Sequence, residues 1–208
     1  MHELTPEEVR VLGCLVEKQR TVPDTYPLSL NALRSACNQT TNRDPVASYD
    51  EATIEAALDR LRDRGLSRRG VTSGSRVIKY WQLLDESLGL DDAQTALLAV
   101  LMLRGPQTPG ELKGRADRLH HFEALDDVVA TLDALAARDE PLVARLAREP
   151  GQKETRYAQL LGTDAPASPA PVADPAERER DGLAELRAEI GELRAEVRAL
   201  RERVDRLG

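Results

Sequence analysis

Aromatic residues are scarce in this chain of 208 residues, with one Trp and one Phe, so a core must be built mainly from Leu, Val and Ala. Histidine is also scarce. His2, His120 and His121 are the complete set, and the adjacent pair would diverge on a helix. No Cys/His/Asp spacing resembles a metal site, and no glycine-rich loop resembles a phosphate cradle. Cys14 and Cys37 are too few for a disulfide framework; their apolar helical neighbours read as buried thiols in a reducing compartment. Nor is there a run of about 18 apolar residues, the length a membrane-spanning helix needs. The N-terminal residues lack the basic and apolar regions of a signal peptide. These absences lead us to expect a cytoplasmic, non-enzymatic protein without metal or cofactor.

A clearly basic segment is missing as well. Residues 1–84 carry 12 bases against 11 acids, residues 85–162 carry 9 against 14, and residues 163–208 carry 8 against 11. A domain that wraps nucleic acid usually shows a net positive face. Only the first segment avoids being acidic. Arg greatly outnumbers Lys, which beside the high Ala content reads as genome composition.

What the chain does have is a repetition. Lys79-Tyr80-Trp81-Gln82-Leu83-Leu84 returns as Arg156-Tyr157-Ala158-Gln159-Leu160-Leu161, and Leu4-Thr5-Pro6-Glu7-Glu8-Val9 has a counterpart at Leu90–Thr95. Each copy is long enough to hold several elements, so the period marks a duplicated small domain. Thr5, Pro6 and Glu8 announce a first helix with a capping box. Val9, Leu12, Leu15 and Val16 then form its apolar stripe to about Gln19. Residues 20–28 read as extended. Ser29 caps a second helix, and residues 50–64 form a third with Ile54, Ala57, Leu58 and Leu61 inward, stopping at Gly65. Leu66–Val71 and Arg76–Leu84 read as a β-hairpin. The second copy repeats this order with helices over Asp91–Arg104, Thr108–Leu119 and Leu125–Ala137, then a hairpin from Leu142–Arg148 and Glu154–Leu161.

We therefore expect an α+β, mainly helical chain. Two tandem winged-helix domains (1–85 and 86–162) would be followed by an Ala/Pro-rich linker (163–181) and a coiled-coil helix (182–208). The last assignment rests on a strict heptad. Leu183, Ile190, Val197 and Val204 fall at a, and Leu186, Leu193, Leu200 and Leu207 at d. β-Branched a positions with Leu at d favour a parallel dimer, and Glu189 and Glu196 at g face Arg194 and Arg201 at e of a partner chain.

Longer motifs carry a family resemblance. Leu12-Gly13-Cys14-Leu15-Val16-Glu17-Lys18-Gln19, Tyr26-Pro27-Leu28-Ser29, Ala36-Cys37-Asn38-Gln39 and Asn42-Arg43-Asp44-Pro45-Val46 resemble the bacterial YceH family. So do Leu103–Leu112 and Arg145–Gly151, and together these motifs span roughly residues 4–162. The resemblance implies two winged-helix domains. It implies no activity, because that family is functionally uncharacterised, and no catalytic residue carries over.

Winged helices commonly bind DNA with the third helix in the major groove and the wing on the backbone. Here the expected outward positions of the third helices are Glu51, Glu55, Asp59 and Arg62, then Asp126, Asp127, Thr131 and Asp133. Carboxylates there would oppose phosphates. The candidate nucleic-acid contacts are instead Arg68, Arg69, Arg76 and Lys79 on the first wing, with Arg43 in the preceding loop, gripping phosphates without reading bases. The alternative is a protein-interaction or scaffold module that uses the acidic third helices and is made bivalent by the coiled coil. Lys113, Arg115 and Arg118 read as surface ion pairs, and Tyr80 and Tyr157 as core residues.

Overall fold

The computed structural model describes residues 3–72, 74, 76–147 and 154–163. The eight heptad residues from Leu183 to Leu207 lie outside the described residues, as does the expected linker beyond Thr163. The fold is mixed α+β and mainly helical. Helix α1 (Pro6–Thr21) leads through a 3-10 turn (Pro23–Thr25) to β1 (Leu28–Ser29), α2 (Leu30–Cys37), α3 (Glu51–Asp63), β2 (Ser67–Val71) and β3 (Ile78–Gln82). A short α4 (Leu84–Leu88) joins this repeat to α5 (Asp92–Arg104), α6 (Pro109–Ala116), α7 (Leu125–Ala136), β4 (Val143–Arg145) and β5 (Tyr157–Gln159). The expected order of three helices and a hairpin occurs twice. Residues 20–28 differ from expectation: the chain stays helical to Thr21, and Leu28–Ser29 adds a third strand to give the antiparallel order β1-β3-β2.

Helix starts follow local side-chain chemistry. Thr5 Oγ1 accepts from Glu8 N at 3.4 Å while the Glu8 carboxylate accepts from Thr5 N at 3.0 Å. Asp91 with Gln94 and Thr108 with Glu111 form the same reciprocal pair in the second repeat. Ser29 and Asp50 cap α2 and α3 by accepting from Ala32 N and Thr53 N. Each cap satisfies backbone donors that helix geometry leaves free. Gly65, at φ 72°, takes the left-handed turn that releases the chain from α3 into β2.

The duplicated Tyr-x-Gln-Leu-Leu segment proves to be structural. Tyr80 and Tyr157 are both buried. Leu28 pairs with Tyr80 across β1 and β3, and Gln107 pairs with Tyr157 in the same way in the second repeat. Gln82 Oε1 accepts from Leu84 N at 2.6 Å, and Gln159 Oε1 accepts from Leu161 N at 2.6 Å. The Tyr fills a core while the Gln turns the chain at the strand end. Tyr26 lies beside the first of these strands. Its hydroxyl accepts from Gln82 N at 2.7 Å, and burial pushes its pKa up to about 12.

The expected domain boundary at residue 85 separates two repeats, yet both fall within one compact unit, Met1–Pro169. The reason lies in α1 and α5. Glu8–Val16 of α1 and Thr95–Leu103 of α5 are buried without interruption. The face expected to point inward, Val9, Leu12, Leu15 and Val16 in α1, is matched by a second buried face that includes Val11 and Cys14. A helix that is buried on all sides needs neighbours on all sides. For α1 these are α2 and α3 of its own repeat and α5 of the other. Gly13 marks the crossing, since a Cβ there would stand 3.0 Å from Leu103 Cδ2 and 3.1 Å from Met102 Cβ. Backbone bonds reinforce the seam: Leu4 N donates to Leu161 O, Thr163 N to Leu4 O, and Asp44 N to Leu103 O.

Candidate nucleic-acid interface

Strand alternation divides the cations of the first hairpin between two faces. Register pairs Arg68 with Trp81 and Gly70 with Lys79, which places Arg68, Lys79 and Trp81 on one side. The Arg68 guanidinium lies 4.3 Å from the Trp81 ring centroid, within cation–π range. Gly70 leaves room for the indole: a Cβ there would stand 3.5 Å from Trp81 Cζ3. Trp81 is half-buried, as is Lys79, while Arg68 is exposed. The ring therefore supports the guanidinium while Trp81 remains partly exposed. None of the three makes a carboxylate ion pair among the described residues.

Arg69 sits on the opposite face, paired with the buried Tyr80. Burial raises the Tyr80 pKa, and Glu55 and Asp59 of α3 reinforce the shift while Arg69 opposes it, so Arg69 shares its surroundings with the α3 carboxylates. Arg76 is exposed ahead of β3. Among the described residues, then, the structure brings Arg68 and Lys79 together around Trp81 and sets Arg69 apart.

Arg43 departs furthest from expectation. It is only 6% exposed, and all its nitrogens are committed. Nε donates to Ala36 O at 3.1 Å, Nη1 to Glu17 Oε1 at 3.1 Å and Asn42 O at 2.8 Å, and Nη2 to Glu17 Oε2 at 2.6 Å and Gln39 Oε1 at 3.0 Å. This residue anchors its loop to α1 and the end of α2, so it has no donor left for a phosphate. A polar loop with one Arg looked solvent-facing in sequence; the partner that buries it, Glu17, lies on α1 and is 26 positions away.

The outward positions of α3 are as expected: Glu51, Glu55 and Asp59 are exposed and Arg62 is half-buried. Three of them are partly neutralised. Glu51 meets Arg34 at 3.1 Å, and Arg62 meets Asp59 at 2.6 Å. Such exposed pairs contribute little to stability, but they reduce the charge that α3 presents. On α7, Asp126 and Asp127 are exposed, Asp127 accepting from Ala124 N at 2.9 Å, while Thr131 and Asp133 are half-buried. Cys14 and Cys37 are buried free thiols, and the Cys37 thiol is pushed above its ordinary value by a hydrogen bond to Cys14 and by burial. Among the described residues no three His, Cys, Asp or Glu side chains gather as metal ligands. No described helix is long and apolar enough to cross a membrane.

Sequence comparison finds relatives for this arrangement. The family model described as "Protein of unknown function, DUF480" matches residues 4–152. A UPF0502 protein of Opitutus terrae is 52% identical over 179 residues, covering 84% of this chain and 78% of its own. One from Koribacter versatilis is 50% identical over 207 residues, covering 98% of this chain and 96% of its own. A third, from Pelobacter propionicus, is 55% identical over 161 residues, covering 77% of this chain and 73% of its own.

Proposed function

We propose that this chain, which belongs to the DUF480 family, is a cytoplasmic, non-enzymatic tandem winged-helix protein that contacts nucleic-acid phosphates through its first wing. The observation that carries this reading is the outer face of the first hairpin, where Arg68 stacks on Trp81 beside Lys79 without a carboxylate partner among the described residues. Such a face joins two elements of sequence-independent binding, a cation for the phosphate and an aromatic edge for a base or sugar. The order of three helices and a hairpin supports the winged-helix assignment, and the α3 carboxylates disfavour deep insertion of that helix into the major groove.

Titration with duplex DNA and single-stranded RNA over a range of salt concentrations tests the reading. For duplex DNA, log K should fall against log salt with a slope of roughly −0.9 per phosphate contacted. Replacing Arg68, Arg69 and Arg76 with Ala should make that slope shallower and weaken binding about ten-fold or more. A salt-independent signal, or equal affinity in the triple variant, would remove the wing as the contact. Protein recognition is the second reading, favoured by the exposed Val71, Val77 and Ile78 at the hairpin's far end and by the acidic faces of α3 and α7.

The heptad residues support a parallel dimer that would make either activity bivalent. Val197→Asp places a charge at an a position of that seam. Light scattering should then report a monomer, and a persisting dimer would move the interface elsewhere in the chain.

A further inference from the structure

A second basic region lies where the two repeats meet, and both contribute to it. A cleft of about 210 Å³ is lined by Glu17 of α1, Asn42 of the following loop, Arg104 at the end of α5, and Arg115 and Arg118 at and beyond the end of α6. Glu17 is its lining carboxylate, and both of its oxygens are engaged by Arg43, with Lys18 a further 3.1 Å away. The arginines have no comparable compensation. Among the described residues, Arg104 donates through Nη2 to Asn42 Oδ1 and makes no carboxylate ion pair, and Arg118 is exposed without a partner. Arg115 reaches only Glu111 Oε1, at 3.4 Å, and Arg156 competes for that carboxylate from 3.2 Å.

The loop is shaped for the cleft. Asn42 adopts φ 60°, a left-handed conformation that Asn tolerates better than most residues. Arg43 fixes the Asn42 carbonyl at 2.8 Å, so the amide side chain is presented to Arg104 with its Nδ2 donor uncommitted among the described residues. Burial, followed by the charges of Arg115 and Arg43, holds the Arg104 pKa below the usual arginine range. Cations crowded together around a concave surface, whose lining carboxylate is already engaged by Arg43, attract an anion that brings several acceptors.

We propose that this cleft is a phosphate-binding site, with Arg104, Arg115 and Arg118 as the cationic contacts and Asn42 Nδ2 as a neutral donor. The ligand is a phosphate group, carried either by a free phosphoester or by a nucleic-acid backbone. The site is separate from the first wing and does not depend on it.

Calorimetric titration of the full chain with inorganic phosphate, against sodium chloride at equal ionic strength, tests the proposal. Phosphate should bind beyond the chloride control, and Arg118→Gln should weaken it about ten-fold, the loss expected for one charge-assisted contact. Arg118 is exposed and has no partner among the described residues, so its replacement leaves the fold intact; Arg104→Gln provides the second variant. Absence of binding above chloride, or equal affinity in both variants, overturns the proposal. Arg68→Ala/Lys79→Ala should retain phosphate binding, which keeps this site's fate distinct from that of the wing. Duplex oligonucleotide binding that weakens in parallel with Arg118→Gln assigns the phosphate to a nucleic-acid backbone. Duplex binding that is absent or unchanged assigns it to a free phosphoester.

Discussion

Glu17→Ala should destabilise the fold by about 3–5 kcal/mol, the cost of leaving a buried charge without its partner. The Arg43 side chain has no solvent exposure, and that of Glu17 has 13%. Removing the carboxylate strands a guanidinium whose remaining acceptors are neutral: Ala36 O, Asn42 O and Gln39 Oε1. The ion pair itself contributes much less than its rupture costs, because both ions were desolvated to form it. The double variant Glu17→Leu/Arg43→Met should therefore recover much of the loss. Urea denaturation followed by circular dichroism measures both effects, and a single-variant loss below about 1 kcal/mol would show that Arg43 finds water or another anion.

The same pair predicts an acid dependence. Burial alone would raise the Glu17 pKa, but the hydrogen bonds and charge of Arg43, with Lys18, outweigh it and hold the pKa below the ordinary carboxylate value. A depressed folded-state pKa contributes stability that is fully present above the unfolded value of about 4.3 and is lost as pH falls through the folded value. The wild-type chain should thus lose stability more steeply below about pH 4 than Glu17→Ala does. Parallel curves would exclude Glu17 as the titrating group.

Gly13→Val is the second large effect, with an expected cost of about 2–3 kcal/mol from overpacking. The first added carbon would already meet Leu103 Cδ2 at 3.0 Å and Met102 Cβ at 3.1 Å, and Val adds two more. Replacing glycine inside a helix normally gains about 0.5–1 kcal/mol, so Gly13→Ala should be nearly neutral while Gly13→Val is not. Because α1 and α5 share this seam, the loss should appear as one cooperative transition for both repeats. A variant in which one repeat melts early while the other keeps wild-type stability would show that their cores are separable.

Much of the fold was legible because its signals are local. Thr5 with Glu8 is a cap built within one turn, and it forms as the spacing requires. Ile54, Ala57, Leu58 and Leu61 share one face of α3, and all are buried. The seam was less visible. The apolar run of α5 marks a helix but not its neighbours, although Thr95–Leu103 is buried on every side. The candidate site was only partly legible. Alternation put Arg68 and Lys79 together, but a list of basic residues could not exclude Arg43 or foresee that Trp81 supports Arg68.

By itself, the amino-acid sequence determined the duplication, the repeated order of three helices and a hairpin, and the caps at Thr5 and Ser29, because the helix and strand signals depend on neighbours within a few positions. Tertiary structure alone decided that the two repeats share a core and that Arg43 is an internal anchor. It also gathered Arg104, Arg115 and Arg118 around Asn42. Those outcomes depend on which distant side chains the packed fold sets beside a buried charge or an open apolar face, and sequence spacing does not encode that meeting.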